Sequence, residues 1–393
     1  MGPREEVLLL ALTSDGRLAS PGPFEAFRER LGAATDCFVF CHGWLNDQTE
    51  ARDGALRFFA HLDTALQPLR DRVVPLRLAI HWPSRPFADP APARLAGQPE
   101  AMPAPLGRLG ELARRQPGAL ASVIALLCEA EVALSPEDEL ELDALVRQIG
   151  DAARRGGLSA SPLQALSFWL MKRRAGQVGE RLGREWLAPA FTVLGDRAPR
   201  VHLIGHSFGA KLVTSAVLAG VRPDTLVLLQ AAFSAFAFAE DVPGTKRPGF
   251  YRPVIAERMV AGAIVALRSD HDRALSTLYP AVTWGSQVDR TARNLGRRTR
   301  VREVVARSAM GAVGVLGVGA LEIDLVTAQK TGVPRGVITV DGTRVVTRRE
   351  WLIGAHRDIY HDEIARLVLL AAGLLTGGPA GPRPRPVSPL HTA

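Results

Sequence analysis

Between Arg200 and Leu218 an apolar run, Val201 to Ile204, passes through Gly205-His206-Ser207-Phe208-Gly209 into a helix-forming stretch ending at Leu218. A strand that must become a helix within a few residues needs a sharp turn. Glycines on both sides of Ser207 permit that turn without a Cβ clash. Such a turn lifts the serine hydroxyl clear of the backbone and aims the free amides of the helix N-terminus at whatever the hydroxyl attacks. Ser207 is therefore a candidate nucleophile, and the backbone N–H of Phe208 a candidate donor to a developing oxyanion. A strand–turn–helix unit also implies a parallel sheet, because the helix must return the chain to the sheet's starting edge.

The rest of the chain repeats that rhythm. Strand-like runs at Val7 to Leu12, Cys37 to Cys41 and Val73 to His81 alternate with helical stretches at Phe24 to Leu31 and Asp47 to Leu66. After the serine come further strand-like runs at Leu226 to Gln230 and Ala263 to Leu267, and a last helix from Asp362. This predicts an α/β fold with a mostly parallel central sheet and helices on both faces. Val337 to Val340, Asp341-Gly342 and Arg344 to Val346 read as a hairpin closed by a type I′ turn.

Between Pro83 and about Gly110 the chain turns rich in Pro, Ala and Gly, and from there to Pro199 it carries helical patterns without a strand. Ser135-Pro136 and Ser161-Pro162 mark helix starts, with Pro in the first turn. The expected organisation is a core of residues 1–84 and 196–376, a helical cap insertion at 85–195, and a disordered Pro/Gly/Arg-rich tail at 377–393. Trp169, Phe168 and Leu170 are expected to make the pocket beneath the cap apolar.

Composition narrows the class. Hydrophobic residues are 47% and charged residues 22% of the 393, which suits a globular chain with a large core. Three cysteines, Cys37, Cys41 and Cys128, form no disulfide framework and read as buried free thiols. Glu5 and Glu6 precede the first apolar run where a signal peptide would carry positive charge, and no apolar stretch reaches the roughly 20 residues of a membrane span. A cytoplasmic location is expected. The net charge of +8 is spread over short clusters, Arg297 to Arg302, Lys172 to Arg174 and Arg348 to Arg349, and no nucleic-acid partner is expected.

A second chemical element is Phe38-Val-Phe-Cys-His-Gly-Trp44, an apolar strand ending in His-Gly. The loop after it can supply another oxyanion donor, the backbone N–H of Trp44, with His42 shaping the loop. A serine nucleophile needs a histidine base oriented by a carboxylate. Of the histidines after Ser207, His391 falls in the tail and His271 in an acidic loop. His356, free in the loop before the last helix, is preferred to His361 at that helix's start. For the acid, Asp272 is preferred to Asp270, both following the run Ala263 to Leu267. Asp270, His271, Asp272, His356 and His361 do not have the three- or four-residue histidine spacing of helical zinc sites, so no metal and no cofactor are expected.

Together, Phe40-Cys-His-Gly-Trp-Leu-Asn46, His81-Trp-Pro-Ser84, Phe168-Trp-Leu-Met-Lys-Arg-Arg-Ala-Gly176, Val201 to Val213, Asp272-Arg-Ala-Leu275 and Gly354-Ala-His-Arg-Asp-Ile-Tyr-His361 resemble the α/β-hydrolase superfamily, and more closely a poorly characterised group of its bacterial members. The resemblance implies the α/β-hydrolase fold and a triad at Ser207, Asp272 and His356, but no settled substrate. The leading expectation from the residues is a hydrolase that cleaves an acyl ester or related acyl bond of a small or lipid-like substrate. The insertion departs from the usual plan, because it precedes the nucleophile strand instead of following the next one. A non-catalytic ligand-binding or scaffold protein with the same fold is the alternative. Peptidase, thioesterase and acyltransferase chemistry would use the same residues.

Overall fold

A computed structural model describes residues 7–85, 160–243, 248–279, 308–348, 350 and 353–375. The fold is α/β, and the described residues form eight strands in one sheet. They are β1 (Leu8–Ala11), β2 (Asp36–Cys41), β3 (Pro75–His81), β4 (Arg200–His206), β5 (Thr225–Leu229), β6 (Ala263–Arg268), β7 (Leu321–Asp324) and β8 (Gly336–Asp341). Their order is β1-β3-β2-β4-β5-β6-β8-β7, and every pairing between them is parallel.

Strand residues alternate between two apolar layers, as a sheet covered on both faces demands. Val39, Cys41, Leu203 and Leu228 face one layer with α1 (Gly22–Leu31), α3 (Ala160–Arg181) and α4 (Phe208–Leu218). Phe38, Phe40, Ile204 and Val227 face the other, with α2 (Gln48–Leu66), α5 (Leu325–Thr331) and α6 (Asp362–Ala371). Helix α6 buries Ile364, Leu367 and Val368 completely, which contributes about 2 kcal/mol per side chain. Helix α2 starts where Asp47 and Glu50 form a reciprocal capping box.

The strand order fixes where a site can form. From β2 the chain crosses through α2 on one face to β3, while from β4 it crosses through α4 on the opposite face to β5. The neighbours β2 and β4 therefore send their following segments apart, leaving a crevice at their carboxyl ends.

Two expectations are corrected. The hairpin after Val337 does not form. Strand β8 is flanked on both sides by parallel partners, β6 and β7, and Thr343 to Val345 is a turn instead of a returning strand. Neither Asp341 nor Gly342 has the positive φ that a type I′ turn requires. The segment from Ala160, assigned to the cap insertion, instead packs α3 against α4 in the core. Met171, Ala175, Val178 and Leu182 are fully buried there, and a Cβ on Gly179 would lie 2.1 Å from the Leu212 carbonyl oxygen. Residues 86–159, the rest of the expected cap, and the tail from 376 lie outside the described residues. Edge strand β7 and helix α5 add to the elements expected from the sequence. Among the described residues, no helix is long and apolar enough to cross a membrane.

Candidate functional site

Ser207 sits between β4 and α4 with φ 56° and ψ −119°, a left-handed backbone that serine rarely adopts. Local bonds hold it there: its N–H donates to Leu229 O at 3.0 Å, and its carbonyl accepts from Ala210 and Ala232. The flanking glycines are steric necessities. A Cβ on Gly205 would come within 2.4 Å of the Ala210 Cα, and one on Gly209 within 2.3 Å of the Cys41 carbonyl oxygen.

Three strands deliver three side chains to one line. Ser207 Oγ is 2.8 Å from His356 Nε2, and His356 Nδ1 is 2.7 Å from Asp272 Oδ2. Asp272 follows β6 and has no solvent contact. Its second oxygen accepts the Leu275 N–H at 3.0 Å. With Nδ1–H donating to the carboxylate, Nε2 is left to accept the serine O–H, the tautomer that can take the hydroxyl proton.

The paired candidates separate cleanly. Asp270 bonds Arg268, which also pairs with Glu322 and Asp341, and its side chain is 66% exposed. His361 precedes α6 and bonds Asp358 at 2.9 Å. Neither reaches Ser207. Among the described residues no cluster of His, Cys, Asp and Glu could hold a metal ion. Cys37 and Cys41 are buried free thiols with pKa pushed up by that burial, while Cys128 lies outside the described residues.

The loop after β2 lies against the serine, since a Cβ on Gly43 would be 2.8 Å from the Ser207 Cβ. Among the described residues, neither the Trp44 nor the Phe208 backbone N–H has a hydrogen-bond acceptor. The loop is clasped by the segment after β3. Trp82 donates through its backbone to His42 Nε2 and through its indole to the His42 carbonyl, and Ser84 Oγ exchanges hydrogen bonds with the Asn46 backbone. Asn46 Nδ2 in turn donates to the carbonyls of Gly43 and Trp44. His42 Nδ1 donates to Gly43 O, and burial holds its pKa down to about 3, so it stays neutral and shapes the loop. His206 is held to about 3 chiefly by burial and then by its neighbour His356, and its Nε2 donates to the His356 carbonyl at 2.8 Å.

Aromatic side chains line up beside the serine. Phe168 of α3 packs 4.9 Å from the Phe208 ring, 5.9 Å from Trp44 and 5.5 Å from Tyr279. Phe168 is buried in the core layer against Phe208, and does not stand on a cap. Nothing is described of the Trp169 and Leu170 side chains.

No family model matches the chain, and neither the curated proteins nor the solved structures contain a significant match.

The Trp82-Pro83-Ser84 clasp, the His206 brace and Gln230 carry no local sequence signal that marks them as parts of the site. Gln230 was legible only as a polar residue at the carboxyl end of an otherwise apolar strand, where sites in parallel sheets lie. Its amide donates to Asp272 and to the Ala355 carbonyl.

Proposed function

We propose that the protein is a serine hydrolase of the α/β-hydrolase type that cleaves an acyl ester or related acyl bond in a small or lipid-like substrate. The observation that carries this reading is His356 bridging Ser207 and Asp272 at 2.8 and 2.7 Å, at the crevice between the carboxyl ends of the sheet. The chain order Ser, Asp, His supports the α/β-hydrolase assignment, with the three residues following β4, β6 and β8.

In this mechanism His356 Nε2 takes the Ser207 proton as Oγ bonds to the acyl carbon. The backbone N–H groups of Trp44 and Phe208 donate to the oxyanion. The tetrahedral carbon then expels the leaving oxygen, which receives the proton from His356, and an acyl-enzyme remains. Water, deprotonated by the same imidazole, attacks the acyl carbon and frees Ser207 and the carboxylic acid. Asp272 keeps the ring in the productive tautomer and stabilises the imidazolium without taking the proton. The Phe168, Trp44, Phe208 and Tyr279 cluster favours an apolar acyl group. Free, buried Cys37 and Cys41 support a cytoplasmic location.

Purified protein presented with a graded set of acyl esters, thioesters and peptides tests the reading. Turnover of an ester series that vanishes in Ser207→Ala is expected. Ligand binding without turnover of any acyl compound would favour the scaffold alternative.

A further inference from the structure

Gln230 stands outside the Ser207–His356–Asp272 chain yet touches two of its loops. It directly follows β5, has no solvent contact, and adopts φ 46° in the left-handed region that residues with side chains avoid. Its backbone N–H donates to Leu267 O at 3.1 Å. Its Nε2 donates to Asp272 Oδ2 at 2.9 Å and to Ala355 O at 3.1 Å. Asp272 Oδ2 is the same atom that accepts the His356 ring, and Ala355 is the residue before that histidine.

The amide can face only one way. Turned over, its oxygen would meet two acceptor oxygens, so Oε1 points elsewhere and is buried with no hydrogen-bond partner among the described residues. A side chain kept only to fill space has no need of two directed donors, a strained backbone and an unmet acceptor together. The base loop is otherwise tied to the acid loop through backbone alone, by Ala355 N–H to His271 O and Ala274 N–H to Ile353 O, and to the end of β4 by His206 to the His356 carbonyl. Without the glutamine, nothing in that set joins the Asp272 carboxylate to the backbone that carries the imidazole, apart from the ring itself.

We propose that Gln230 is a positioning residue, whose amide locks the Asp272 carboxylate and the Ala355 carbonyl into one register and so holds His356 within hydrogen-bond reach of Ser207. The inference rests on the hydrolase reading above. A leucine at this position keeps the bulk and loses both donors. A glutamate keeps the shape and turns a donor towards Asp272 into a second negative charge.

The test measures, on full-length wild type, Gln230→Leu and Gln230→Glu, the rate of labelling by a fluorophosphonate, kcat and KM on a p-nitrophenyl acyl ester, and thermal melting. Both variants are expected to label about ten- to hundredfold more slowly per folded molecule, with kcat reduced and KM within about threefold of wild type. In Gln230→Glu the acidic limb of kcat/KM is expected to move to higher pH, because the added carboxylate favours the protonated imidazole. Wild-type labelling rates and an unshifted limb in both variants would overturn the proposal while leaving the hydrolase reading intact. Failure of both variants to fold would also overturn it, since Gln230 would then serve the core. A folded wild type inert to the probe removes the hydrolase reading and this inference with it.

Discussion

His206 Nε2 donates a 2.8 Å hydrogen bond to the backbone carbonyl of His356, so the residue before Ser207 braces the loop that carries Ser207's own imidazole partner. Burial, and then the neighbouring His356, keep the His206 ring in its neutral form, with the remaining proton on the Nε2 that makes this bond.

This relationship gives stability a pH dependence. Both His42 and His206 have pKa values near 3 in the fold, against 6.5 when exposed. Below about pH 6.5 the unfolded chain binds protons that the folded chain refuses. Their contribution is therefore complete above that pH and is lost progressively as pH falls towards 3. Each is expected to add a slope of roughly 1 kcal/mol per pH unit between them. Urea unfolding from pH 7.5 to 4.5 measures the slope, and His206→Gln should reduce it by about one proton. An unchanged slope would show that His206 does not titrate as its burial requires.

The two histidine and two aspartate candidates have different partners and should behave differently. His356→Ala and Asp272→Asn are each expected to lower turnover by at least about a thousandfold, and to add almost nothing to Ser207→Ala, because the three act as a unit. His361→Ala and Asp270→Asn, whose side chains bond Asp358 and Arg268 instead, are expected to stay within about tenfold of wild type. Steady-state kinetics of the singles and doubles decide it, and a reversed ranking in either pair reassigns that role.

Gly209→Ala tests how tightly the turn is packed. The new methyl would press on the carbonyl oxygens of Cys41 and His42, at 2.3 and 2.4 Å, both in backbone anchored by the sheet and the Trp82 clasp. A loss of at least about 2 kcal/mol of stability is expected, and the Trp44 loop should shift. A variant as stable and active as wild type would mean that the β2 loop and the α4 start do not approach so closely.

Local signals made much of the fold and site readable. The apolar runs of β2, β4, β5 and β6 are buried on both faces, so their pattern is strong, and the Gly-His-Ser-Phe-Gly turn has few other uses between a strand and a helix. His356 and Asp272 could be singled out because each lies in a loop at a strand's or helix's end. The β8 hairpin was misread because Asp-Gly between apolar runs is a local signal, whereas the parallel pairing that excludes it comes from β6 and β7, distant in sequence. Strand β7, Leu-Glu-Ile-Asp, is an edge strand largely exposed to solvent, and its alternation is too short to stand out. The packing of α3 against α4 depends on Gly179 facing Leu212, a contact that helical periodicity alone does not assign to core or cap. Gln230 was hidden for a similar reason, since its partners lie 42 and 125 residues away.

Covalent labelling tests the central claim most directly. Incubating the folded protein with a fluorophosphonate, then measuring intact mass and mapping the modified peptide, is expected to give a single adduct on Ser207, absent from Ser207→Ala. A folded wild-type protein that gains no adduct, or one that carries it on another residue, would contradict the account.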